Sequence, residues 1–376
     1  MNGAGGLAAA IGAISGTSMD GIDVALIRSD GRARVETGPG ATFPYPSDVS
    51  AALREIVADP ERARGPLAEL ERAVTDAHVA AIRAFLQRFA IDPRSVAAVG
   101  LHGQTVLHRP REKVTRQLGD GARAARALGI DVVADFRAAD VAAGGEGAPL
   151  MPLYHAAICA GMERPLTILN WGGVGNVTYL GARGEIIAFD AGPANALIDD
   201  FVAKRLGVGY DKGGALAAAG RADRDLVARF MRDEYFDRAP PKSLDRNHFH
   251  RLAGAVQSLG DADGAATLAA FTIAATAAAA RHFADPPARW LVCGGGRLNP
   301  TLMRGLASRL EARVEPIEAI GFDGDVVEAQ CFAYLALRSL AGLPISLPTT
   351  TGAPRPMTGG RRWPAQPRRP EPGRKR

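Results

Sequence analysis

Three short stretches of this chain combine glycine with hydroxyls or carboxylates in a way that suits a bound anion: SGTSMDG (15–21), FDAGPAN (189–195) and VCGGGRLNP (292–300). Glycine lets a backbone approach a ligand closely and aim several N–H groups at it. Asp20 and Asp23 lie in or beside the first stretch, and Asp190 follows the apolar run IIAF in the second. Phosphoryl transfer draws on this set: donors for the phosphates, carboxylates for a hydrated Mg²⁺, and a base for the nucleophile. Partial burial after IIAF would raise the Asp190 carboxyl toward the range of a working base.

Each stretch taken singly is equally a structural turn, and Asp190 taken singly is equally a turn or helix-capping carboxylate. Three such stretches on one chain weigh against that reading. None is a Walker loop, because GxxxxGK[ST] is absent, and GGGRLN lacks the GxGxxG spacing of a dinucleotide fingerprint. Gln104 and Thr105, in a polar segment after the apolar run VAAVGL, are placed to bind a hydroxylated ligand. Arg137 and Asp140, beside a glycine-rich loop, have similar prospects. The histidines show no metal-ligand spacing and read as satisfied core or loop residues.

The elements that must position these residues alternate between strand and helix. Residues 7–15 and 22–28 read as two strands of a hairpin, 47–91 as helical, 95–110 as a buried strand followed by a polar loop, and 130–136 as another strand. After about residue 145 the pattern starts again. TILNWGGVGNVTYLG (167–181) is strand, turn and strand. Residues 184–206 are strand, loop and a helix capped by Asn195; 290–310 are strand, triple-glycine turn and helix; 325–342 are a long helix. The economical reading is two similar α/β lobes with a cleft between them.

Composition agrees with a globular protein of more than one lobe: 376 residues, 47% hydrophobic and 23% charged. The net charge of +5 belongs to the end of the chain. Residues 361–376, RRWPAQPRRPEPGRKR, hold seven Arg or Lys against one Glu, which leaves the body near −1. That tail is expected to be disordered and solvated, so no nucleic-acid or membrane partner is inferred. Cys159, Cys293 and Cys331 form no metal or disulfide spacing and read as reduced thiols of a cytoplasmic protein. The N-terminus lacks the basic region of a signal peptide, and GAATLAAFTIAATAAAA (264–280) reads as a packed helix rather than a membrane span.

The ordered motifs SGTSMDGID (15–23), HGQTVLHRP (102–110), QLGD (117–120), DFRAADVAAGGEGAPLMPLYH (135–155), NWGGVGNVTYL (170–180), FDAGPAN, YDKGGALAAAG (210–220), PKS (241–243), CGGGRLNP (293–300), DVVEAQCFAYLA (325–336) and LPTTTGAP (347–354) resemble the anhydro-N-acetylmuramic acid kinases. That family belongs to the sugar kinase and actin superfamily, and the resemblance runs from Ile14 to about Gly360. It implies an actin-like, ribonuclease H-like α/β fold of two lobes with an interlobe active-site cleft. The implied division is 1–140 plus about 343–360 for the first lobe and 141–342 for the second, with 361–376 as the tail.

The resemblance further implies an ATP- and Mg²⁺-dependent enzyme of peptidoglycan recycling. It would open 1,6-anhydro-N-acetylmuramic acid with water and phosphorylate O6, and would work as a homodimer. Asp190 would be the base. The ATP side would comprise Gly16, Thr17, Ser18, Met19, Asp20, Gly21, Ile22, Asp23, Gly172, Gly173, Gly192, Gly294, Gly295, Gly296 and Asn299, with Asp20 and Asp23 near the metal. Gln104, Thr105, Arg137, Asp140 and Glu328 would serve the sugar, Arg137 facing its lactyl carboxylate. The competing readings are a kinase of the same superfamily acting on an ordinary sugar hydroxyl, and a non-catalytic ATP-binding regulator. Two departures stand out: Ala191 and Ala194 replace Thr and Gly of a family FDTGPGN, and PKS is followed by LDRNHF rather than a small TG-like pair.

Overall fold

The runs AAAIGAIS and GIDVALIRS form an antiparallel hairpin, β1 (Ala8–Ser15) and β2 (Gly21–Ser29), with Ile14 opposite Asp23 beside the turn. This computed structural model describes residues 6–365 apart from 17, 18, 20, 60, 246 and 251–253. Thr17, Ser18, Asp20 and residues 366–376 of the tail therefore lie outside the described residues. The chain divides into two units, one of Met1–Gly147, Val326–Leu347 and Ala353–Arg376, the other of Ala148–Asp325 and Pro348–Gly352.

In the first unit β3 (Val35–Pro44) extends the hairpin on the β2 side, and β4 (Val96–Arg109) runs parallel to β1 on the other. β5 (Val114–Leu118) folds back on β4, and β6 (Val132–Ala134) lies parallel to β4. Side chains alternate across a strand. Ile11 and Ala13 therefore join Val74, Ile82 and Phe85 of the Ala68–Arg88 helix in one core. The opposite face carries glycine at Gly12 and, on β4, at Gly100. A Cβ at Gly12 would stand 1.8 Å from Ala329 O, and one at Gly100 would stand 2.0 Å from Phe332 O. These paired glycines let the Val327–Leu340 helix lie directly on the sheet.

That contact corrects the expected division of the chain. The 327–340 helix belongs with the first unit, not the second, because its backbone needs the glycine face. Two further expectations change. The segment after VAAVGL is not a loop: β4 continues to Arg109, because β5 supplies its hydrogen-bond partner. Arg361–Trp363, expected in a disordered tail, forms β12, antiparallel to β6. Trp363 covers Gly121, where a Cβ would stand 2.6 Å from the indole, and Arg362 pairs with Asp131 at 2.6 Å.

The second unit repeats the order. β7 (Leu166–Trp171), β8 (Val174–Leu180) and β9 (Ile186–Pro193) form the antiparallel meander. β10 (Arg289–Cys293) is parallel to β7, and β11 (Arg313–Pro316) is parallel to β10. The second sheet thus reads third, second, first, fourth, fifth, and the first sheet reads β3, β2, β1, β4, β6, β12 with β5 added as a hairpin on β4, so the two lobes share the doubled α/β arrangement expected of them. Residues Asp261–His282 are long and apolar enough by composition to cross a membrane. Leu268, Phe271 and Ala275 of this stretch instead pack in the unit's core with Phe230, Phe236 and Phe249.

Candidate active site

In the first unit the β1–β2 turn is braced from β4. Ser15 Oγ donates to Gln104 Oε1 at 2.6 Å, and Gln104 Nε2 donates to Gly16 O and Thr105 O, both at 3.3 Å. Gln104 is buried, so its amide is spent on shaping the turn rather than held out for a sugar. Met19 takes a left-handed φ of 55° and closes the turn with its N–H on Gly16 O. The side chains of Met19 and Ile22 are in the core, so of these two residues only the backbone can face a ligand. Gly21 is packed on Thr42, and Asp23 accepts from Thr42 Oγ1 at 2.6 Å.

A second cluster in this unit centres on Arg137. Its Nε donates to His102 Nε2 at 3.1 Å and its Nη1 to Gly147 O at 2.7 Å. His102 Nδ1 donates in turn to Gly103 O at 3.0 Å, which fixes the tautomer with Nε2 as acceptor. Burial, with Arg137 beside it, holds His102 well below the usual histidine pKa. Burial also lowers Arg137, and the nearby Glu328 opposes that. Asp140 is buried and closes the glycine loop: its Oδ1 accepts from Gly147 N at 2.7 Å and its Oδ2 from Ser346 Oγ. Gly145 packs against the same carboxylate. Asp140 therefore shapes the loop that carries the Arg137 partner. Thr105 accepts from Gln117 Nε2 at 3.3 Å.

In the second unit the glycine turns gather around Asn195. Its Nδ2 donates to Trp171 O (2.9 Å) and Gly172 O (3.0 Å), and its backbone N to Gly172 O (3.0 Å). Ala194 N and Ala196 N both bond Gly173 O. Asn195 is thus the first residue of the Asn195–Leu206 helix, tying it to the β7–β8 turn, and not its side-chain cap. The glycines of this region divide by surroundings. A Cβ at Gly192 would meet Ala275, and at Gly294 or Gly296 it would meet Asn170 or Trp171, so protein packing demands glycine at all three. Gly172, Gly173 and Gly295 have nothing closer than 3.6 Å, and these are the ones with room for a ligand.

Three supporting residues that sequence reasoning passed over, Arg297, Thr272 and Thr276, complete this region beside the expected Asn299. Arg297 is buried, donates to Gly294 O at 3.2 Å and is held by Glu318 and Asp325. Asn299 is spent on capping the Pro300–Leu310 helix, accepting from Thr301 N and Leu302 N. The threonines of the alanine-rich helix face the turns: Thr272 donates to Ala194 O, and Thr276 accepts from Trp171 Nε1. No local signal distinguishes these threonines from any other in an alanine-rich helix.

Asp190 lies on β9, opposite Asn176, with a register shift next to that pair. Leu244 N donates to its Oδ2 at 2.8 Å, so one carboxylate oxygen has a fixed direction. Among the described residues no group of three or more His, Cys, Asp or Glu forms a metal cage.

A family model described as anhydro-N-acetylmuramic acid kinase matches residues 8–365. The chain belongs to the anhydro-N-acetylmuramic acid kinase family. It is 52% identical over 353 residues to the anhydro-N-acetylmuramic acid kinase of Paramagnetospirillum magneticum, covering 94% of this chain and 98% of that one. Kinases of the same name from Rhodospirillum rubrum and Rhizorhabdus wittichii are each 50% identical, with 95% and 93% of this chain covered and 94% and 97% of theirs. The two alanines that depart from the expected family motif are accommodated. Ala191 and Ala194 are both buried, Ala194 at φ −125° and ψ −118°.

Proposed function

We propose that Asp190 is the general base of an ATP-dependent reaction that opens 1,6-anhydro-N-acetylmuramic acid and phosphorylates it. Such a sugar has no free 6-hydroxyl, so the internal acetal must break as the phosphoryl group is transferred. Asp190 takes a proton from water, the water oxygen bonds to C1, and the C1–O6 bond breaks. O6 then attacks the γ-phosphorus of ATP and ADP leaves. The products are N-acetylmuramic acid 6-phosphate and ADP, a step in peptidoglycan recycling. The observation that carries this reading is the Asp190 carboxylate, held by Leu244 N–H on β9 two residues before Gly192, in a chain of this family.

On this reading the Gly16–Asp23 turn in the first unit, and in the second the open glycines Gly172 and Gly173, are phosphate-binding elements, with Gly295 serving the adenosine. Gly192, Gly294 and Gly296 set the backbone path, and Asn299 holds the adjoining helix start. Magnesium carried on phosphates keeps several waters and takes only one or two carboxylates. Asp23 would hold the ion, with Asp20 as second candidate, and the ion would neutralise charge on the phosphoryl group in transit. Thr105, Arg137 and Glu328 serve the sugar, with Arg137 on the lactyl carboxylate, while Gln104 and Asp140 support them. We further infer a cytoplasmic homodimer with no nucleic-acid or membrane partner. Three free, buried cysteines suit a reducing compartment.

One incubation tests the reaction: ATP, Mg²⁺ and 1,6-anhydro-N-acetylmuramic acid, with the product followed by mass. The expected gain is one phosphoryl group plus one water. A gain of phosphoryl alone would support a kinase of ordinary hydroxyls, and ADP with unchanged sugar would point to an ATP-binding regulator.

A further inference from the structure

One strap, residues 235–244, grips Asp190 at three atoms. Tyr235 Oη donates to Asp190 O at 2.5 Å, Asp190 N donates to Lys242 O at 3.0 Å, and Leu244 N donates to Asp190 Oδ2 at 2.8 Å. The strap is closed on itself by Lys242, whose side chain is 5% exposed. Its Nζ donates to Tyr235 O at 3.0 Å and to Phe236 O at 3.3 Å. It also lies 4.8 Å from the centre of the Tyr235 ring, 5.6 Å from that of Phe189, and 3.5 Å from His282 Nε2.

A lysine in such a place calls for a reason. Burying an ammonium costs free energy unless its donors are satisfied, and here they go to two carbonyls and two ring faces rather than to a carboxylate. The charged groups around it are Arg281, Arg238 and Asp237, with His282, and burial together with the two arginines lowers its pKa to about 8. A methionine would fill the aromatic cage as well, but would leave both carbonyls unmatched. The strap would then lose the bonds that hold its two ends together.

We propose that Lys242 is a positioning residue for Asp190: its ammonium locks the strap in the shape that aims Leu244 N–H at Oδ2. The carboxylate is thereby held in a fixed direction toward the attacking water. This rests on Asp190 being the base. Misplacing a catalytic group by about 1 Å costs on the order of 100-fold in rate, so the lock is worth its desolvation.

The test is the pH dependence of kcat in Lys242→Met, with ATP affinity and Tm measured alongside. We expect kcat to fall about 10- to 100-fold with ATP affinity unchanged. Loosening the Leu244 N–H donor from Oδ2 raises the pKa of the carboxylate, so the acid limb of the profile should move to higher pH. Lys242→Arg, which keeps charge and donors, should recover part of the rate. If Lys242→Met does not fold, Tyr235→Phe removes only the hydroxyl on Asp190 O and should move the limb the same way by less. An acid limb unmoved in the folded variants overturns the proposal. Retained turnover in Asp190→Asn would instead overturn the base assignment itself, so the two failures are separable.

Discussion

Arg137 Nε donates to His102 Nε2 at 3.1 Å, so a guanidinium is aimed by a neutral imidazole. The ring is locked at its other nitrogen by Gly103 O, and its low pKa keeps the acceptor lone pair available. Arg137→Met should raise KM for the anhydro sugar about 10- to 100-fold while leaving ATP affinity unchanged, the loss of one charged hydrogen-bond partner being worth about 1.5–3 kcal/mol. His102→Phe, which keeps the packing on Phe332 but not the acceptor, should raise the same KM by less. Steady-state kinetics with each substrate varied in turn would check both, and an unchanged sugar KM in Arg137→Met would remove Arg137 from the sugar site.

Buried neutral histidines predict a pH dependence of stability. His78 and His155 are pushed down to about 4 and about 3 by burial, and each has a ring nitrogen without a partner. Above pH 6.5 neither state binds the proton and there is no effect. Below it the unfolded chain takes a proton that the folded chain refuses. Stability should therefore fall by up to about 1.4 kcal/mol per pH unit per histidine, between about 6.5 and 4. Thermal melts between pH 7 and 5, where most carboxylates stay ionised, would show the decline. His78→Phe should flatten it, and an equal slope in that variant would refute the assignment.

Gly12 should tolerate no side chain. Gly12→Ala drives a Cβ into Ala329 O and Ala333 N, backbone atoms that cannot turn aside, so it should destabilise by about 2–3 kcal/mol or more. Gly65→Ala, whose added Cβ would meet one carbonyl at 3.3 Å, is the control and should melt within a few degrees of the parent. Urea titrations of the two would compare them directly.

Strand β12 should matter and the residues after it should not. A chain ended after Ala365 is expected to keep full stability and activity. One ended after Gly360 loses Trp363 and the Arg362–Asp131 pair, and should lose about 2–3 kcal/mol. Equal melting of the two would show that β12 adds nothing.

Much of the architecture was legible along the chain because it is local. The hairpin at 8–29, the second meander at 166–193, and the helices at 68–88 and 300–310 follow from runs of apolar residues, turn glycines and spacing, which act between neighbours. Asp190 was legible for the same reason, standing in a motif that can be read in order. Asn195 was legible only as a helix start, and the roles of Arg297 and Lys242 were not legible. Their partners, Trp171 O, Glu318 and Tyr235 O, are set by how strands and loops return, and nothing beside them in sequence names those atoms.

By itself, then, the sequence determined the α/β class, the repeated strand order's beginnings, the three glycine turns and the family. Periodicity, backbone freedom and motif order are properties of adjacent residues. The tertiary structure decided which glycines face open space and which are filled by Trp171 or Ala275, and that Gln104, Asp140 and Asn299 brace the site. It also decided that the 327–340 helix rides on Gly12 and Gly100. The reason is physical: close approach and hydrogen-bond satisfaction depend on atoms far apart in the chain, and only the packed molecule brings them together.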